Sequence, residues 1–236
     1  MITNLASLRR LGPFGLLLLA SAVLPLVGSA LLLAYTPAIE PHLRAAGLAG
    51  LAAFALATAV LCGLALMNTQ VLALFAGYAL GLWTGLGVVY VGIVGAAVLS
   101  FAIARRISGP AFLAAIEASP RAATVHAALV RDPRGALTTT ALLRLSPVVP
   151  FALIGVVLAA ARVRTSAFLV GTALGVVPRT ALVAYAGSEL AAFDPEAGPA
   201  GAVKLGLAVV ATVVLFLWIG FAARRALRRR LDTPTS

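Results

Sequence analysis

Three features of this chain predict an all-α polytopic membrane protein. It is 62% hydrophobic and only 11% charged, against about 25% charged residues in a soluble domain. Its mean hydropathy is +1.07, concentrated in several apolar runs near the roughly 20 residues that span a bilayer as a helix. Strong alternation of period two is absent, which argues against a β-barrel. Two of the apolar runs are interrupted by polar residues, glycine or proline. The expected architecture is therefore two oppositely inserted re-entrant hairpins plus about four transmembrane helices, in one integral domain.

The stretch from Arg144 to Phe151 organises the reading. It places an arginine, Pro147 and Pro150 inside a run that is otherwise apolar from Ala136 to Ala161. Proline removes a backbone donor and blocks the carbonyl one turn back, so a straight helix through both is disfavoured. Broken in the middle, the run makes two short arms that enter and return. An arginine at membrane depth costs roughly 2.5–3.5 kcal/mol on insertion scales and is placed against protein, water or a ligand. A hairpin at about 136–161 with a charged tip follows, and not a lipid-facing span.

Along the chain, Arg9 and Arg10 precede an apolar run from Pro13 to about Tyr35, longer than a signal-peptide core and read as an uncleaved first span. Thr36 to Ala46, with Glu40, His42 and Arg44, reads as an outer loop, so residues 1–46 form an anchor and loop. The core, 47–190, opens with an apolar region interrupted at Met67-Asn68-Thr69-Gln70 and near Gly81-Leu82-Trp83-Thr84-Gly85. A hairpin at about 47–82 followed by a span at 83–104 is the preferred reading, with three full crossings the alternative. Gly77, Gly81 and Gly85 keep the small-xxx-small spacing of close helix packing. Residues 110–130 read as an amphipathic segment broken at Pro120, lying on the membrane surface. After the second hairpin come a span from Ser166 to Gly187, a loop with Glu189, Asp194 and Glu196, and a final span from Val203 to Ala223 with a basic tail (191–236).

The net charge of +11 comes from 18 basic and 7 acidic residues. Most of the excess flanks apolar runs, which points to topology and anionic lipid contact and away from nucleic acid. Both termini, Arg105-Arg106 and Arg162 are expected in the cytoplasm of a multi-pass plasma-membrane protein. Cys62, the only cysteine, excludes an intramolecular disulfide, and His42 and His126 lack metal-ligand spacing. No metal or other cofactor is expected. The two halves each pair a hairpin with a span, entering from opposite faces, which is an inverted repeat inferred from topology.

Three pieces of sequence carry a family likeness: Ala76-Gly-Tyr-Ala-Leu-Gly81-Leu-Trp-Thr-Gly85 continuing to Ser100-Phe-Ala-Ile-Ala-Arg105-Arg-Ile-Ser-Gly109; Arg144-Leu-Ser-Pro147-Val-Val-Pro150-Phe151; and Gly171-Thr-Ala-Leu-Gly175-Val-Val-Pro178 followed by Tyr185-Ala-Gly187. Over roughly residues 65–190 the chain resembles the DedA superfamily, in particular its VTT-domain branch, also described as SNARE-associated Golgi-protein-like. The resemblance implies two facing re-entrant hairpins and a role in moving lipids, polyprenyl-phosphate carriers in bacterial relatives and phospholipids in eukaryotic ones. The chain departs from the family at Met67-Asn68-Thr69-Gln70, where relatives often carry proline. It also has no Asp or Glu between Leu43 and Ile116, which argues against proton coupling.

The candidate substrate-binding residues are Arg144, Pro147, Pro150, Arg179, Pro178, Tyr185 and Asn68. A guanidinium forks two hydrogen bonds onto an oxyanion, so Arg144 and Arg179 suit a phosphate head group; the competing reading of Arg144 is a cap for carbonyls freed by the prolines. Pro147, Pro150 and Pro178 shape a cavity or simply kink helices. Tyr185 offers a hydroxyl to a ligand or sits in an interfacial belt, and Asn68 meets a head group or a solvated turn. Paired carboxylates, a Ser-His-Asp set and a phosphate-cradling loop are all missing from the sequence, so no enzyme is expected. The function expected is a lipid transporter or scramblase with anionic phosphate lipids as partners, and the alternative is a non-transporting scaffold of the same fold.

Overall fold

The computed structural model describes residues 13–107, 133–145, 151–193 and 199–232. Pro147, Pro150 and the expected amphipathic segment at 110–130 lie outside the described residues. Within them the chain forms α1 (Pro13–Ala45), α2 (Gly47–Gly63), α3 (Thr69–Leu80), α4 (Leu82–Ile107), α5 (Pro133–Leu145), α6 (Phe151–Ala160), α7 (Thr165–Ala191) and α8 (Pro199–Asp232), with no strand among the described residues. Four of these helices are long and apolar enough to cross a membrane, at Val23–Ala45, Leu82–Ile107, Thr165–Ala191 and Val203–Ala226. They are the four spans expected from the sequence.

One boundary differs. The expected outer loop Thr36–Ala46 is instead the last turns of α1, helical to Ala45 through Pro25, Pro37 and Pro41. Side chains support the helix there: Thr36 Oγ1 donates to the Leu32 carbonyl at 2.9 Å, His42 Nδ1 meets the Ala38 carbonyl at 2.8 Å, and Glu40 pairs with Arg44 one turn on at 2.6 Å. The helix begins anew at Gly47 (φ +53°).

The apolar region after α1 breaks where polar residues interrupt it. α2 closes with Ala65 in the left-handed region (φ 59°), the Leu66 amide donating to the Leu61 carbonyl at 2.7 Å and the Ala65 amide to Cys62 at 3.2 Å. That is a Schellman closure without its usual glycine. Asn68 then caps α3, its side chain accepting from the Gln70 amide at 2.8 Å. The second half uses the same closure after its second arm: α6 closes with Arg162 at φ 56°, the Val163 amide donating to Leu158 at 3.2 Å and the Arg162 amide to Ala159 at 3.1 Å.

Packing is an exchange between halves. α4 and α7 form the centre. α2 lies along α4, and α5 lies along α7; α3 packs most closely on α7, while α6 packs on α4. The second arm of each pair, α3 or α6, thus rests on the long helix of the other half, while the first arm, α2 or α5, lies on that of its own. The arms of each broken pair, α2 with α3 and α5 with α6, hardly touch. Gly77 of α3 faces the Ala184 backbone of α7, and Gly187 of α7 faces the backbone of Leu74 and Tyr78, so neither site has room for a side chain. Gly81 differs from Gly77 and Gly85: it sits at φ 76°, ψ 171° between α3 and α4, with open space around it, and is a conformational break, not a packing contact.

Two core clusters result, one around Phe54, Phe75, Val89 and Ile93, the other around Phe101, Ile154, Leu158 and Phe168. Arg105 at the end of α4 bonds Val163 and Thr165 at the start of α7, and Lys204 near the start of α8 meets Glu189 near the end of α7 at 3.5 Å. α4, α7 and α8 therefore alternate in direction, which gathers Arg105, Arg106, Arg162, Arg164, Arg224 and Arg225 at one end of the bundle.

Candidate functional site

Arg144 stands in the last turn of α5, just before the interrupted stretch, and is 1% exposed. Its Nη1 donates to the Phe151 carbonyl at 2.8 Å and its Nε to Thr172 Oγ1 on α7 at 3.1 Å. The guanidinium lies over the Phe151 ring at 4.0 Å and near the Phe168 ring at 5.4 Å, contacts that favour a desolvated cation. Nη2 is buried without a hydrogen-bond partner. One arginine thus joins α5, the start of α6 and α7, and still holds an unused pair of protons.

Arg179 is 8% exposed, on α7. Thr172, Gly175 and Arg179 fall at i, i+3 and i+7, one face of the helix, and Gly175 leaves room for the Arg144 side chain: a Cβ there would stand 2.8 Å from Arg144 Cβ. The Arg179 charge acts on Arg144. From the other half, Gln70 in the first turn of α3 turns its amide oxygen to Arg179, accepting from Nε at 3.0 Å and Nη2 at 3.1 Å, and from Thr69 Oγ1 at 3.2 Å. Thr180, beside Arg179, buries a hydroxyl without a hydrogen-bond partner. The polar centre therefore takes its cations from the second half and an amide from the break of the first.

Its countercharge is not in the protein segments that build it. The sequence has no Asp or Glu from Pro133 to Ser188, nor from Pro41 to Ile116. A buried guanidinium with an unpartnered Nη2, as at Arg144, is suited to an anion or water.

The structure brings together Arg144 and Arg179 among the expected residues. Asn68 is an exposed helix cap two residues from Gln70. Pro178 lies on the exposed face of α7, and Tyr185 is 38% exposed further along it, with its carbonyl accepting from Ser188 Oγ at 2.8 Å. Pro147 and Pro150 fall outside the described residues. Thr172, Phe151 and Phe168 are not among the expected residues, and Gln70 belongs to the polar interruption Met67–Gln70, which offers a head-group contact or a solvated turn. The i, i+4, i+7, i+11 spacing of Phe168, Thr172, Gly175 and Arg179 is the sequence signal for the α7 face.

Two clefts flank the centre. One of about 600 Å³ at the Glu40 end is lined by Leu43, Arg44, Tyr78, Gly81 and Ser188. Arg44 there is already occupied, donating to the Ala79 carbonyl at 2.7 Å and the Tyr78 carbonyl at 3.4 Å besides its pair with Glu40. The other, of about 300 Å³, opens at the basic end beside Arg105. Among the described residues no three His, Cys, Asp or Glu side chains come together as a metal site.

Broken helices around an arginine pair, inside a bundle with four membrane-length helices, define an integral membrane protein with a polar centre built at its helix interruptions. The VTT domain family matches residues 67–189, just over half of the chain, and the chain belongs to it, the DedA/SNARE-associated Golgi protein family. No curated protein and no solved structure matches the chain significantly.

Proposed function

We propose that this protein moves phosphate-bearing lipids between leaflets, as a transporter or scramblase, with the head group received between Arg144 and Arg179 while the acyl chains stay in the bilayer. The observation that carries this is the guanidinium of Arg144, buried in the bundle with an Nη2 that has no hydrogen-bond partner, with a second buried arginine, Arg179, on the same face of α7 as Arg144's partner Thr172. A phosphate supplies a countercharge for Arg144 and accepts from its Nη2. Gln70 and Thr180 add polar groups around the same point.

The two broken pairs serve as re-entrant hairpins in this reading. α2 at 17 residues and α3 at 12 reach about 25 and 18 Å, short of the ~30 Å hydrocarbon core. The gathered arginines support a cytoplasmic Arg105 end by the positive-inside rule; in this reading both termini lie there too, with Glu40 and Asp194 outside, in the plasma membrane. Single-cysteine labelling in a Cys62→Ala background tests this; a residue-106 cysteine reached only from outside contradicts it.

A specific observation also favours the scaffold reading: Arg144 ties three helices through Phe151, Thr172 and two rings, as a structural clip would. Vesicles holding the purified protein separate the two. Accelerated flipping of labelled phospholipid or polyprenyl phosphate supports transport; none for either leaves the scaffold.

A further inference from the structure

We infer that the cleft between the end of α4 and the start of α7 is a separate binding site for one anionic phospholipid, its phosphate at Arg105 and Arg106 and an acyl chain along α4. Arg105 is tethered, not saturated. Its Nη1 donates to the Val163 carbonyl at 3.2 Å and to Thr165 Oγ1 at 3.0 Å, and the guanidinium stands 5.6 Å from the Phe101 ring centre. Its Nε and Nη2 have no partner among the described residues. Arg106 is exposed on the same rim. Arg162 and Arg164 lie within three residues of Thr165, and neither long helix brings a carboxylate to this end, because the sequence has none from Pro41 to Ile116 or from Pro133 to Ser188.

Below the rim the cleft turns apolar, with Val98, Ala102 and Leu169 as its walls. Val91, 63% exposed, Val98, 47% exposed, and exposed Ala102 follow at i, i+7 and i+11, a continuous stripe on one face of α4. Val91 to Arg105 spans about 20 Å of helix, enough to cross one leaflet. A forked cation above an apolar track fits a phosphate carried on a chain; free phosphate would leave the track uncovered. The site is also distinct from the inner one. Phe101 and Phe168 stack at 4.1 Å, with Arg105 beside the Phe101 ring and Arg144 beside the Phe168 ring, so a stacked aromatic pair lies between the two arginines.

The test uses the full chain in nanodiscs of equal phosphatidylglycerol and phosphatidylcholine, with retained lipids counted by native mass spectrometry. Wild type should retain phosphatidylglycerol preferentially. In an Arg144→Ala background, where the inner head-group site is lost, Arg105→Gln should lower the remaining retention about tenfold and Arg106→Gln about threefold, phosphatidylcholine being unchanged, while excess inorganic phosphate leaves it intact. Arg106 is exposed and has no hydrogen bond or ion pair among the described residues, so its variant tests the site even where Arg105→Gln loosens the fold. Unchanged retention on adding Arg106→Gln, no further loss on adding Arg105→Gln to Arg144→Ala, or displacement by inorganic phosphate would each overturn the inference. Binding here without any flipping would sustain it and remove the transport reading.

Discussion

The two halves of the core are built alike and charged differently. Each divides an apolar segment into short helices, uses one non-glycine closure in the left-handed region, Ala65 after the first arm of one and Arg162 after the second arm of the other, and lays its second arm against the long helix of the other half. Yet the first break offers only a capped turn and the Gln70 amide, whereas the second half supplies both buried arginines. Backbone architecture and chemistry are thus separable in this fold. The first half contributes close packing, the second the cations, and the site exists only where the exchange brings them together.

Breaking the exchange should have the largest effect. Gly77→Leu drives a side chain into the Ala184 backbone, which cannot yield as a flexible side chain would. A loss of about 3 kcal/mol or more is expected, seen as collapse of folded yield by size-exclusion chromatography. Gly81→Ala meets no atom but must hold φ 76° with ψ 171°, at a cost of roughly 1–3 kcal/mol, read as a lowered melting temperature with yield largely kept. The smallest effect is a gain that compares the halves directly: Ala65→Gly and Arg162→Gly each relieve a strained closure worth about 1 kcal/mol. Similar gains in thermal stability would support equivalent closures; a gain at one site only would break the likeness.

Much of this was legible from residue order. Apolar run lengths gave the four long helices, and Asn68 and the Arg144–Phe151 stretch marked where helices stop, because capping and proline act over a few residues. Arg144 and Arg179 stood out as cations in apolar surroundings. The extent of α1 was not legible: Pro37 and Pro41 suggested a loop, and the support from Thr36, His42 and the Glu40–Arg44 pair outweighs them. Nor was the meeting of Gln70 with Arg179, over a hundred positions apart, since helical periodicity orders neighbours on one helix and is silent on which helices exchange partners. Gly81 shared its spacing with Gly77 and Gly85, and only its dihedrals set it apart.

The central claim, that the arginine pair receives an anionic head group, is tested most directly by flipping rates in vesicles for lipids that differ only in head-group charge. Arg144→Ala should reduce anionic-lipid flipping at least about tenfold while zwitterionic lipids change little, and Arg144→Lys should be intermediate, because charge remains and the fork is lost. Arg179→Ala should shift selectivity in the same direction. The thermal cost of Arg144→Ala, on the order of 1.5–3 kcal/mol for its hydrogen bonds, is expected under either reading, so selectivity decides. A uniform loss across all lipids that tracks the lowered stability, with selectivity unchanged, would contradict the account and make Arg144 a structural clip.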